Sequence, residues 1–170
     1  MWTGVCFGGT CREAERMRKY DGKPAAALWA LAAVAWLGVL FWFSGQSGAQ
    51  SGALSRGITQ WLFGWLLEYV SFDTLHIFVR KSAHFCAFAV EGFLACSALL
   101  CVLPGKRAAL VTGLSCAGVA VLNELHQTIS VGRSCEVRDM LIDTAGALTG
   151  LAFAVVVLHA FSKLKIKHNR

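Results

Sequence analysis

Charge is scarce in this chain. Only 15% of its 170 residues are Asp, Glu, Lys or Arg, while 56% are hydrophobic; soluble domains carry about 25% charge. With a mean hydropathy of +0.55, that shortage excludes an ordinary soluble domain. Familiar catalytic signatures are missing too: no G-x-S-x-G nucleophile elbow, no P-loop and no H-E-x-x-H metal motif. No internal repeat is evident. The seven cysteines make no disulfide framework. Cys86, Cys96, Cys101 and Cys116 lie in apolar runs, where free Cys behaves as a small apolar residue. Only Cys135 falls in a polar outer segment. A single external thiol permits an intermolecular disulfide and hence a homodimer; an unpaired Cys is the plainer reading.

What is present is four blocks of about 20 apolar residues, the length a bilayer core of about 30 Å requires of a helix. They are "AAALWALAAVAWLGVLFWF" (25–43), a span over about 80–103, another over 107–127, and "MLIDTAGALTGLAFAVVVLHAF" within 139–161. The expected architecture is an all-α integral membrane protein, a four-transmembrane-helix bundle.

The net charge of +6 could suggest nucleic acid, but its distribution argues for a membrane. Lys and Arg gather in a basic tail (1–24), in "PGKR" between the second and third spans, and in a second basic tail (162–170). An even number of spans puts these three segments on one side. By the positive-inside rule that side is cytoplasmic, which predicts a cell-membrane protein with both termini inside. No nucleic-acid partner is expected. The first apolar run is longer than the 7–15 residues of a signal-peptide core, so it reads as retained. Met17, followed by "RKYDGKP", reads as an alternative start, with residues 1–16 then a non-native extension.

The one long connection, 44–80, opens with "SGQSGAQSG", a Ser/Gly/Gln stretch expected to be non-helical and to mark exit from the bilayer. A segment over about 53–70 follows. Leu54, Ile58, Trp61, Leu62, Trp65, Leu66 and Tyr69 share one helical face there, which predicts an amphipathic helix lying in the outer interface. A fifth, short span is the weaker alternative. Asp73 or Thr74 is placed to cap the second spanning helix, beginning near Leu75.

All four spans carry their unusual polar residues toward the outer face. The second contributes Arg80, Lys81, His84 and Glu91; the third, Asn123, Glu124, His126 and Gln127; the fourth, Asp139 and Asp143; the first ends in Ser44 and Gln46. Lys81, His84 and Glu91 form one helical stripe, and Asp139, Asp143, Gly146 and Gly150 another. Gly146 and Gly150 make a G-x-x-x-G pair, read as helix packing rather than as a dimerisation motif. Glu124 and His126, two apart, cannot share a face; Glu124 is expected with Gln127 and Thr128, and His126 with Asn123. Charges in lipid cost roughly 2.5–3.5 kcal/mol each by insertion scales, so they pair or line a wet cavity. One reading is a mutually neutralising latch between helices. Function is favoured by basic residues on the side the positive-inside rule disfavours, and by more proton-handling groups than a latch requires.

These residues resemble those of VanZ-like membrane proteins. "RKSAHFCAFAVEGF" is similar to the family's R-K-x-x-H-F segment. "NELHQTISVGRSCEVRDMLIDTAGALTG" is similar to its D-E-x-H-Q … G-R … D-x-x-x-D/N-x-x-G-x-x-x-G segment, and "FSGQS" to its first-span ending. The resemblance covers roughly residues 28–160. It points to Ser44, Gln46, Arg80, Lys81, His84, Glu124, His126, Gln127, Arg133, Asp139, Asp143 and Gly146. Asn123 stands where the family often has Asp, which removes a carboxylate beside Glu124. The resemblance implies an association with reduced susceptibility to lipid-tailed glycopeptides such as teicoplanin; it supplies no mechanism.

Three functions remain open. In the first, an enzyme acts by hydrolysis or transfer on a lipid or lipid-linked envelope intermediate. Arg80, Lys81 and Arg133 would hold a phosphate with help from Gln127, Gln46 and Ser44. His84 or His126 would be the acid or base, with Glu124, Asp139 and Asp143 as catalytic partners. The spacing names no metal or other cofactor, although His84, His126, Glu124 and Asp139 could serve as ligands. In the second, a non-catalytic binder masks a lipid. In the third, a small transporter or flippase moves one; polar groups confined to one end of the spans count against it.

Overall fold

The computed structural model describes residues 23–168. The alternative start at Met17 and most of the N-terminal tail lie outside that range. Among the described residues five α-helices and no strand occur: α1 (Lys23–Ser44), α2 (Gly48–Phe63), α3 (Phe72–Leu100), α4 (Gly105–Gln127) and α5 (Val137–His168). A short 3-10 turn, Gly64–Leu66, follows α2. Four of the helices, α1, α3, α4 and α5, are long and apolar enough to cross a membrane. The chain is an all-α membrane bundle.

Two expectations about the connection are corrected. "SGQSGAQSG" is not a helix-free exit, since α2 starts at Gly48, well before residue 53. The reason is a capping box: the Ser47 side chain accepts from the Gln50 N–H while Gln50 reaches back to the Ser47 N–H. Two donors of the first turn are thereby satisfied, which offsets the poor helix propensity of Gly and Ser. Likewise α3 begins at Phe72, not near Leu75, and its cap is Ser71, whose hydroxyl accepts from the Thr74 N–H. At 16 residues α2 is too short to span.

The two faces of α2 differ in chemistry and burial. Leu54, Ile58, Trp61 and Leu62, with Trp65 and Tyr69 beyond, remain exposed, while Gly52 and Thr59 are buried. Ser55 is half-buried on the inner face and meets His76 of α3, Oγ to Nε2, at 2.7 Å. The helix therefore docks through its small and polar residues and leaves its apolar face outward.

Contact between α3 and α5 dominates the bundle, and glycines make it close. A Cβ at Gly146 would collide with the Phe85 carbonyl, one at Gly150 with the Ala89 carbonyl, and one at Gly92 with the Ala147 carbonyl. The G-x-x-x-G pair is thus used inside the chain, as read from the sequence, with Gly92 of α3 as its reciprocal. Close backbone approach replaces the hydrophobic drive that helices lack in lipid. The buried core sets large side chains among small ones: Leu40 and Phe88 with Cys116, Ala120 and Ala147 on one level, Leu100 with Cys96, Ala108 and Ala154 on the next.

Candidate functional site

The α3–α5 contact sets the site. Asp143 stands one turn before Gly146 on α5, and His84 directly precedes Phe85 on α3. Bringing Gly146 onto Phe85 therefore brings Asp143 onto His84, whose Nδ1 lies 3.1 Å from Asp143 Oδ1. One turn toward the helix ends, Lys81 pairs with Asp139, and at 3.2 Å with Glu136. Asp139 and Asp143 are buried. Both stripes inferred from helical spacing meet face to face.

From α4, Glu124 is fully buried beside them. Its Oε1 accepts from Gln127 Nε2 at 2.8 Å, and its Oε2 from the Glu136 backbone N–H at 3.0 Å. A ring nitrogen of His84, a carboxylate oxygen of Glu124 and one of Asp143 lie within 4.8 Å of one another. His126 points elsewhere: its Nδ1 is 3.3 Å from Ser44 Oγ and its ring meets Phe41 edge-on at 5.4 Å. Ser44 Oγ in turn donates to the Asn123 carbonyl at 3.1 Å. The α4 side chains thus divide in part as expected, Glu124 with Gln127 and His126 toward α1, but Asn123 lines the cavity with Gln127 rather than accompanying His126, and Thr128 is exposed.

Arg80 and Arg133 form a second group. Arg133 Nη1 donates to the carbonyls of Phe43 and Ser44, at 3.2 and 3.1 Å, tying the 128–136 loop to the end of α1. Burial first, and the Arg80 guanidinium second, hold the Arg133 pKa below its usual value; Glu124 and Asp139 act the other way. An Arg stays charged regardless. Among the described residues neither Arg has a carboxylate within ion-pair distance, and the Nε of each is buried without a hydrogen-bond partner.

Both guanidiniums line a cavity of about 310 Å³ between α1, α2 and α3. His84, Asn123, Gln127 and Ser44 complete its polar end; its walls include Trp36, Val39, Phe43, Leu54 and Ile58. Val39, Phe43, Leu54 and Ile58 are also exposed on the outer surface, so the cavity opens where lipid would be.

Of the residues expected at the site, then, Lys81, His84, Glu124, Gln127, Asp139 and Asp143 converge, with Arg80, Arg133 and Ser44 around the adjoining cavity. Gln46 is half-buried in the turn after α1 and does not line the cavity. His126 is separated from the carboxylates. Glu91, buried with one oxygen unpartnered, lies two turns deeper on α3. Sequence reasoning passed over Glu136, although its place three residues before Asp139 put it on the same stripe. The apolar walls of the cavity, drawn from three helices, are encoded in no local pattern.

Fold and site together define a polytopic helical membrane protein with an ionisable cluster at one end of its bundle. The chain belongs to the VanZ/LLP1 family, whose model matches residues 29–158. Comparison with curated proteins and with solved structures gives no match.

Proposed function

We propose that the chain binds a phosphate-bearing membrane lipid or lipid-linked cell-envelope intermediate at the extracytoplasmic face of the cell membrane. The observation that carries this is the pair of guanidiniums, in ion-pair contact with no carboxylate among the described residues, at the polar end of an apolar cavity. Two neighbouring, half-buried cations attract an anion, and a guanidinium fork suits a phosphate bidentately. The apolar walls suit the hydrocarbon part of the same molecule. Lys81, committed to Asp139 and Glu136, is a positioning residue rather than a phosphate ligand. The orientation rests on the positive-inside reading of the basic segments; of these, the 104–107 turn lies at the opposite end of the bundle from the site.

A second reading, chemistry on the bound lipid, is favoured by one feature: His84 lines the cavity and is held from behind by Asp143, the arrangement of a general base and its orienting carboxylate. The family resemblance adds a consequence. A site that holds a lipid tail at the outer surface lowers susceptibility to lipid-tailed glycopeptides such as teicoplanin, by competing for the drug's tail or by altering the lipid it anchors to.

Native mass spectrometry of the detergent-purified chain tests the binding reading. An anionic lipid is expected to co-purify and to be lost in Arg80→Ala and Arg133→Ala, but kept in His84→Gln. Equal lipid retention in all four proteins sinks it.

A further inference from the structure

We propose that His84, Glu124 and Asp143 form a binding site for one first-row divalent cation, Zn²⁺ or Mn²⁺. Their candidate ligand atoms all lie within 4.8 Å of one another. Ligands about 2.0–2.2 Å from a tetrahedral zinc ion are about 3.3–3.6 Å apart, so closing around a cation asks the more distant ligand atoms to approach by up to about an ångström, within reach of side-chain rotation. Entry of the cation trades the His84–Asp143 contact for metal bonds.

Two independent observations point to a ligand here. Asp143 is fully buried, and its Oδ2 has no hydrogen-bond partner, although buried polar atoms are almost always satisfied. Among the described residues the carboxylates of Glu124 and Asp143 also have no Lys or Arg in direct contact. Glu124 and Asp143 are both fully buried, while Lys81 is engaged by Asp139 and Glu136. His84 is the one cationic group in direct contact with either of them, Lys81 and Arg133 acting only from farther off; a dication bound between them neutralises both. Buried charges must be paired or coordinate metals.

The surroundings are those of a supported ligand. Gln127 and the Glu136 N–H fix both oxygens of Glu124, the kind of outer-shell bonding that orients carboxylate ligands. One imidazole with two carboxylates suits borderline first-row ions, whereas Ca²⁺ prefers a larger all-oxygen shell. Three protein ligands leave a coordination position open, as catalytic zinc sites do. His84 lines the cavity beside Arg80 and Arg133, so that position is reachable from its polar end. The cation site stands without the lipid reading.

The full chain, purified in detergent and stripped with chelator, is titrated with Zn²⁺ and with Mn²⁺ by calorimetry, and bound metal is counted by elemental analysis. One equivalent per chain is expected, with a higher Tm than the stripped protein. Asp143→Asn and Glu124→Gln should each weaken binding at least 100-fold, while Glu68→Gln, at an exposed acid, leaves it unchanged. Arg133→Ala should lose lipid and keep metal, which separates this site from the lipid reading. Should either carboxylate variant fail to fold, the wild-type arm decides: restoration of Tm by one equivalent of metal supports the site, and no change in Tm overturns it. Equal binding in the variants and wild type, or only weak multi-site binding, overturns it as well.

Discussion

His84 and Asp143, 59 residues apart in the chain, meet at 3.1 Å because the glycine that follows Asp143 by one turn carries no Cβ. The same close approach that holds α3 to α5 thus assembles the ionisable cluster, and the two roles can be separated by substitution.

Gly150→Val should destabilise the bundle by about 1–3 kcal/mol, the usual range for overpacking, since its Cβ would meet the Ala89 carbonyl. Gly118→Ala, where nothing lies within 4 Å, should be neutral or stabilise by up to about 1 kcal/mol through helix propensity. Thermal unfolding in one detergent reads both. Equal melting temperatures for the two variants would contradict the packing described.

Lys81→Met leaves Asp139 buried without its partner and should cost about 3–5 kcal/mol. Adding Asp139→Leu should recover most of that loss, since replacing a buried pair by apolar groups is often neutral. A double variant as unstable as Lys81→Met alone would show that the pair is not a two-residue unit.

Binding and chemistry are distinguished by comparing conservative variants at matched membrane levels. His84→Gln and Glu124→Gln keep approximate size and polarity but end proton exchange, Glu124→Gln giving up one of the two hydrogen bonds that Glu124 accepts. Loss of the cellular phenotype in these two is expected if the site performs chemistry. Full phenotype in both, alongside loss in Arg80→Ala and Arg133→Ala, leaves binding alone.

Orientation is checked on intact cells. Cys135 is exposed in the 128–136 loop and should react with a membrane-impermeant maleimide, with labelling abolished in Cys135→Ser. Labelling that appears only after the membrane is opened would invert the topology.

The sequence by itself determined the spans, because a predominantly apolar run of bilayer length has few other stable fates. It also determined which polar residues share a face, because helical spacing is local: Asp139 with Asp143, Glu124 with Gln127, Lys81 with His84. Helix starts were misread where a side chain closed back on the first turn, as Ser47 and Gln50 do, since capping geometry can outweigh the composition of the residues it begins. Only tertiary packing decided which stripe meets which. Whether His84 faces Asp143 or His126, whether Lys81 holds a ligand or Asp139, and whether α1, α2 and α3 leave a cavity between them all depend on how far apart and at what rotation the helices settle. Those distances are set by glycines and small residues on two helices at once, a relation that no single segment contains.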